Sequence, residues 1–338
     1  MATRRADAPP SPLAIALSDL DRLAAERPAL APAARTLGRL LRAAFDGPAL
    51  DQGNRPDSPL PSPPLTKGGP GGVGAGSGSP AGPKTPLNPP LARGDGSPRA
   101  SRDAIPHADP DLIIGAWRAG VPAFRAGEAP PSLDVAARVV AVCAAFEGEN
   151  PAADALSDAV RAGKVDPAAW ASEALAGSQG TLDAESAGHG LDPALVRSVL
   201  RLALLPALAP HSARLDALRP EGAWAGEGCP NCGNPPSLAE SRGLDQRRSL
   251  RCGVCAGDWP GDRLRCPFCG ETDHRRLGYA FIDGEGDRHR LAACDSCGAR
   301  LKVVSTLRPL SAPGLLVAEL AMARLDGLAD ADLGESPP

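Results

Sequence analysis

Aromatic side chains are scarce in this 338-residue chain, which holds 5 Phe, 4 Trp and 1 Tyr. Glycine and proline are in surplus, at 38 each, where ordinary domains carry about 12% of the two combined. Either a solvated stretch dilutes a globular protein, or the whole chain is extended. Long apolar runs are lacking as well. The longest, such as Leu202–Leu208, is interrupted by Pro206 and falls far short of the roughly 18 residues of a bilayer crossing. An export signal is missing too, because Asp7, Pro9, Pro10, Asp19 and Asp21 break any apolar region after Arg4-Arg5. The expectation is a cytoplasmic protein with no membrane partner. No Ser/His/Asp set, phosphate-cradling glycine loop or pair of catalytic carboxylates stands out, so nothing argues for an enzyme.

The glycine and proline surplus is concentrated. Residues 47–110 hold 12 Gly and 15 Pro in 64 positions. They include a near repeat, Pro63-Pro64-Leu65-Thr66-Lys67-Gly68 and Pro89-Pro90-Leu91-Ala92-Arg93-Gly94. Such composition cannot bury enough apolar surface to offset chain entropy, so the segment reads as a disordered insertion, with a proline-motif ligand as the lesser alternative. Around it the pattern is helical. Leu13, Leu17, Leu20 and Leu23, then Leu37, Leu40, Leu41 and Phe45, recur at about 3.6-residue spacing on either side of Pro28 and Pro32. Asn150-Pro151, Asp166-Pro167 and Asp192-Pro193 each place a capping side chain before a proline at the first helical position. Ser132 is expected to cap a further helix carrying Val135, Val139, Val142 and Phe146. After Trp224 short strand-like runs take over, at 275–283, 288–293 and 300–306, and 315–328 reads as one closing helix packed back on a neighbouring domain. The fold class expected is α+β: an N-terminal all-α domain, tandem rubredoxin-like or zinc-ribbon modules, and a C-terminal helix. The segments are 1–46 and 111–222 for the helices, 47–110 for the insertion, 223–310 for the ribbons and 311–338 for the closing helix and tail.

Eight of the nine cysteines form four Cys-x-x-Cys pairs: Cys229/Cys232, Cys252/Cys255, Cys266/Cys269 and Cys294/Cys297. Each such turn presents two sulfurs on one side of a tight loop, and two turns supply a tetrahedral four-thiolate site. Glycine follows the second cysteine in three pairs, whereas the Cys252/Cys255 pair has Ala256. Chain-order pairing leaves 19 and 24 residues between knuckles, which suits a hairpin, against 10 between the middle pairs. Sequential pairing is therefore favoured, and interleaved pairing stays open. Disulfides are disfavoured in a reducing cytosol, and thioredoxin-like redox chemistry is disfavoured because that motif opens a helix. Filled four-thiolate sites leave no open position for catalysis. Two metal ions per chain, Fe or Zn, are expected, since the donor set suits either. His189, His274 and His289 read as loop or strand-surface residues, and Cys143 as a buried small side chain.

The order of these features resembles the FdhE-type formate dehydrogenase accessory proteins: helices, Trp224, Cys-Pro-Asn-Cys-Gly, Cys-Gly-Val-Cys, Cys-Pro-Phe-Cys-Gly, Cys-Asp-Ser-Cys-Gly, Arg300-Leu301-Lys302, then a Leu-rich helix with Glu319-Leu320-Ala321 and Leu325-Asp326. The likeness covers 224–334 and is looser over Leu20-Asp21-Arg22-Leu23-Ala24 and Pro28, and the insertion departs from it. The resemblance implies a cytoplasmic assembly factor, needed for active formate dehydrogenase, that binds the enzyme's catalytic subunit and carries rubredoxin-like metal sites at the cysteine pairs. The competing class is a zinc-ribbon nucleic-acid-binding protein. Between Arg242 and Arg308 lie 13 basic and 9 acidic residues, and Arg247, Arg248, Arg275, Arg276, Arg288 and Arg290 could meet phosphates. The interleaved acids and the few aromatics (Trp259, Phe268, Tyr279, Phe281) weigh against nucleic acid as the partner.

Overall fold

The computed structural model describes residues 9–46, 108–282 and 288–329. The insertion expected at 47–110 lies outside the described residues except for its last three positions, and so does the last residue of the strand expected at 275–283.

Proline-initiated, side-chain-capped helices build the first layer. α1 (Pro12–Glu26) starts where Ser11 Oγ accepts from Ala14 N at 3.1 Å, and α2 (Ala31–Phe45) follows a short 3₁₀ turn at Pro28–Leu30. α3 (Pro110–Arg118) is capped by Asp109. α5 (Pro151–Arg161), α6 (Pro167–Ala176) and α8 (Pro193–Leu218) begin at the three Asx-Pro steps, with Asn150, Asp166 and Asp192 each accepting from two backbone amides. α4 (Val135–Ala144) corrects the Ser132 expectation: Asp134 is the cap, its carboxylate accepting from Ala137 N at 2.9 Å. α7 spans Gln179–Gly188.

α8 is the central helix, in contact with α2, α4, α5, α6 and α7. Pro206 interrupts the apolar run in the sequence without ending the helix, which carries both Pro206 and Pro210. The buried Arg138 of α4 donates from Nε to Ala203 O of α8 at 2.9 Å. Among the described residues α8 is the one helix long and apolar enough to cross a bilayer, and half of its most apolar stretch is buried inside the fold.

The second layer is a six-stranded mixed sheet, β1 (Pro236–Arg242), β2 (Arg247–Cys252), β3 (Asp258–Pro260), β4 (Leu277–Ala280), β5 (His289–Cys294) and β6 (Arg300–Thr306), in the order β3-β2-β1-β6-β5-β4. Each half is a hairpin plus a third strand laid against the hairpin's second strand. The halves join through parallel pairing of β1 with β6, from Leu238 opposite Lys302 to Arg242 opposite Thr306. The strand expected from 275 is shorter, because His274–Arg276 forms a 3₁₀ turn. The closing helix is also broken: α9 (Ala312–Ala321) is followed by a 3₁₀ turn, Ala323–Leu325, and α10 (Asp326–Ala329). α9 packs on α1, α2 and α8, and Arg201 of α8 forks onto Glu319 of α9 with bonds of 2.7 and 2.8 Å. One hydrophobic cluster runs through both layers, holding Leu41, Val142 and Leu205 together with Cys229, Leu238 and Leu315.

Candidate metal centres

The four knuckles share one backbone frame. In each, the first cysteine's carbonyl accepts from the amide four residues on: Gly233, Ala256, Gly270 and Gly298, at 2.7, 3.1, 3.0 and 2.8 Å. Each first cysteine's amide donates to the carbonyl five residues on: Asn234, Gly257, Glu271 and Ala299, at 2.8, 3.0, 2.8 and 3.1 Å. Closing that turn requires positive φ at the residue after the second cysteine, and the values are 83°, 59°, 76° and 71°. Ala256 adopts this left-handed conformation although its Cβ disfavours it.

The sulfurs fall into two groups in chain order, Cys229/Cys232/Cys252/Cys255 and Cys266/Cys269/Cys294/Cys297, each with all four Sγ atoms within 4.8 Å of one another. Across knuckles, Cys232–Cys252 and Cys229–Cys255 are 3.4 and 3.6 Å apart, and Cys269–Cys294 and Cys266–Cys297 are 3.7 and 3.8 Å apart. A tetrahedral ion with bonds of about 2.3 Å needs sulfurs about 3.8 Å apart, so both groups have the donor set and spacing to hold one. Amides point at sulfur as well: Val254 N to Cys252 Sγ at 3.4 Å, and Phe268 N to Cys266 Sγ at 3.5 Å. In the first group burial drives the Cys229 thiol well above its ordinary value, while bonds from the other three sulfurs hold Cys252 well below.

The two groups differ in exposure. All four cysteines of the first are completely buried, because helices cover them. Trp117 Nε1 and Ala123 N donate to Pro230 O at 2.8 and 2.9 Å, and Phe124 N donates to Asn231 O at 2.9 Å. Asn234 Nδ2 donates to Ala174 O of α6 at 2.8 Å and also reaches Cys232 Sγ at 3.4 Å. Asp216 of α8 accepts from Asn231 Nδ2 at 3.1 Å and from Asp258 N at 2.8 Å. In the second group Cys269 and Cys297 are exposed, and its knuckles are held by Glu271, which accepts from Thr272 N, Asp273 N and Ser296 Oγ.

Several of these supports carry no signal in the sequence. Asp216, Trp117 and Asn234 belong to no motif. Gly257 is legible only in three dimensions, since a Cβ there would stand 2.9 Å from Cys229 Sγ and 3.0 Å from Asn231 Nδ2. Of the residues set aside in the sequence, Cys143 is buried and its thiol is pushed up to about 12 by that burial. His189 ends α7, and His289 lies on β5. His274 is in the 3₁₀ turn rather than on a strand.

No family model matches the chain. It is similar to an FdhE homolog of Aquifex aeolicus, 33% identical over 100 residues, covering 29% of this chain and 34% of that protein. An FdhE homolog of Enterobacter sp. is 31% identical over 126 residues, covering 35% of this chain and 40% of the relative. FdhE of Escherichia coli O127:H6 is 32% identical over 78 residues, covering 22% and 25%. The matched segments thus span a quarter to two-fifths of these relatives' own length. The crystal structure of FdhE from Pseudomonas aeruginosa matches with a TM-score of 0.51 at 21% identity, over 96% of this chain and 94% of that one, which shows a common fold. Local sequence likeness to several FdhE proteins and a fold shared over nearly the whole length agree, and the chain is similar to the FdhE-type proteins in both.

Proposed function

We propose that this chain is a cytoplasmic, non-catalytic accessory factor for the maturation of formate dehydrogenase, which binds the catalytic subunit of that enzyme. In this reading Cys229, Cys232, Cys252 and Cys255 ligate one metal ion, and Cys266, Cys269, Cys294 and Cys297 a second. The observation that carries it is the pair of four-sulfur groups set in one sheet braced by helices. All four positions of each site are protein sulfurs, so neither metal has a place for substrate, and their work is to hold a surface. An ion in the first site locks the ribbon to α6 and α8. An ion in the second fixes the outer end of the sheet, where the knuckles meet solvent. All-thiolate donors suit iron or zinc; iron would add redox activity at the open site.

Affinity capture of the tagged chain from cells making formate dehydrogenase tests the reading. The catalytic subunit is expected in the bound fraction, metal analysis of anaerobically purified protein is expected to give about two ions per chain, and a strain lacking the chain is expected to lose formate dehydrogenase activity. Retention of RNA or DNA with steep salt dependence, and no capture of the enzyme, would replace it with the nucleic-acid reading.

A further inference from the structure

Three arginines are buried among the described residues, and two of them have strong partners, although Arg251 Nε is itself unbonded. Arg138 donates to the carbonyls of Ala203 and Ala44. Arg251 pairs with the buried carboxylate of Glu240. The third, Arg248 on β2, is 9% exposed, and the one side-chain bond it makes among the described residues is a 3.3 Å contact from Nη1 to the backbone carbonyl of Asp262. Its Nε and Nη2 have no partner among the described residues. Burial draws the guanidinium below its ordinary value, the direction expected of a desolvated cation with too little opposing charge.

Arg248 also stands where two hollows meet. On one side it lines a slot of about 30 Å³ beside Cys266 and Tyr279, room for one small group; on the other it lines an open groove of about 1100 Å³ that runs past β2 and the 243–246 turn. The groove is of mixed charge. Arg219, Arg242 and Arg247 are each within ion-pair distance of a groove acid, namely Asp216, Asp258 and Asp245. A polyanion laid along it would meet those carboxylates in succession, whereas a single acidic group delivered to Arg248 would face chiefly the Asp262 carboxylate, with the Arg263 guanidinium beside it. Apolar side chains flank the position: Leu264 is 67% and Leu307 81% exposed on the groove, and Tyr279 is half-exposed on the slot.

We propose that this groove binds an extended segment of a partner polypeptide, anchored by an Asp or Glu side chain seated on the Arg248 guanidinium, with apolar neighbours lying on Leu264 and Tyr279. The bond would be charge-assisted, with the Arg fork matching a carboxylate. The proposal is independent of which enzyme the chain serves.

The metal-loaded full chain is used to select from a library of end-blocked random heptapeptides, followed by titration of the best binder. Selected peptides are expected to share one acidic position next to an apolar residue. Changing that residue to its amide is expected to weaken binding at least ten-fold, Arg248→Met to do the same, and the two changes together to cost little more than either alone. Arg248→Met keeps the volume and removes a buried charge, so the variant should retain its metal content and melting temperature; if it does not, Arg248→Lys, expected to weaken the acidic peptide and not its amide, replaces it. Absence of an acidic preference, additive losses in the double change, or displacement of the peptide by oligonucleotide at lower concentration than by free acidic peptide would each overturn the proposal.

Discussion

Glu240 illustrates how much a single side chain carries here. It lies on β1, next to the seam with β6, with no exposure, and accepts from Arg242, Arg251, Thr306 Oγ1 at 3.0 Å and the Leu310 amide at 3.1 Å. Burial opposes its charge, but the two guanidiniums outweigh it and hold the carboxyl below the ordinary range. Glu240→Ala strands Arg251 inside the sheet and is expected to cost about 3–5 kcal/mol in denaturant unfolding. Because the folded value is depressed, the stabilisation is complete above about pH 4.5 and is lost as pH falls through the folded value. The stability gap between wild type and Glu240→Gln should therefore narrow below that pH, and a constant gap would contradict the assignment. Gly257 is a second case. Gly257→Ala must displace Cys229 Sγ, with a loss of about 1–3 kcal/mol and weaker metal retention at the first site alone, read by metal stoichiometry during dialysis. Neither residue announces itself in the sequence, because both act through neighbours brought from elsewhere in the chain, whereas the eight cysteines are recognisable from spacing because each knuckle is a local turn.

At the scale of elements, the knuckles and helix starts obey local rules and the strands do not. Asn150-Pro151, Asp166-Pro167 and Asp192-Pro193 open helices because an acceptor side chain and a preset φ act within four residues. The start of α4 depends on which of two nearby polar residues reaches the Ala137 amide, and Asp134 sits three residues before it. The parallel β1–β6 seam joins segments about sixty residues apart, which no local pattern encodes. The two knuckle pairs are alike in sequence and unlike in setting, one sealed under α6 and α8 and the other with two exposed sulfurs. A chelator is thus expected to remove one metal quickly and the other only on unfolding. In Cys269→Ser/Cys297→Ser the fast fraction should disappear, and in Cys229→Ser/Cys232→Ser the slow one; equal rates for both metals would contradict this difference in cover.

For the whole molecule the shared core sets the behaviour. Cys229 and Cys252 belong to the same buried cluster as Val142 of α4 and Leu205 of α8, so emptying the first site should loosen the helices as well as the ribbon. Cys229→Ser/Cys232→Ser is expected to lower the melting temperature of the helical far-ultraviolet signal by about 10 °C, taking a loss of about 3 kcal/mol or more at 2–4 °C each. Loss of the second site should move that signal little. Two separate transitions in wild type, one for helices and one for ribbons, would show that the core is not shared in this way.

What the sequence settled unaided was the class of the protein, capped helices followed by four Cys-x-x-Cys knuckles, all set by interactions within a turn; it favoured chain-order pairing of the knuckles, and the grouping of the sulfurs in space decided it. The tertiary structure alone decided which metal site is covered, where Glu240 finds its guanidiniums, and that Arg248 is left with a single carbonyl bond between two hollows. Those outcomes depend on how far apart in space residues from α6, α8 and both hairpins come to rest, and burial, which fixes the strength of every charge interaction, exists only once they have packed.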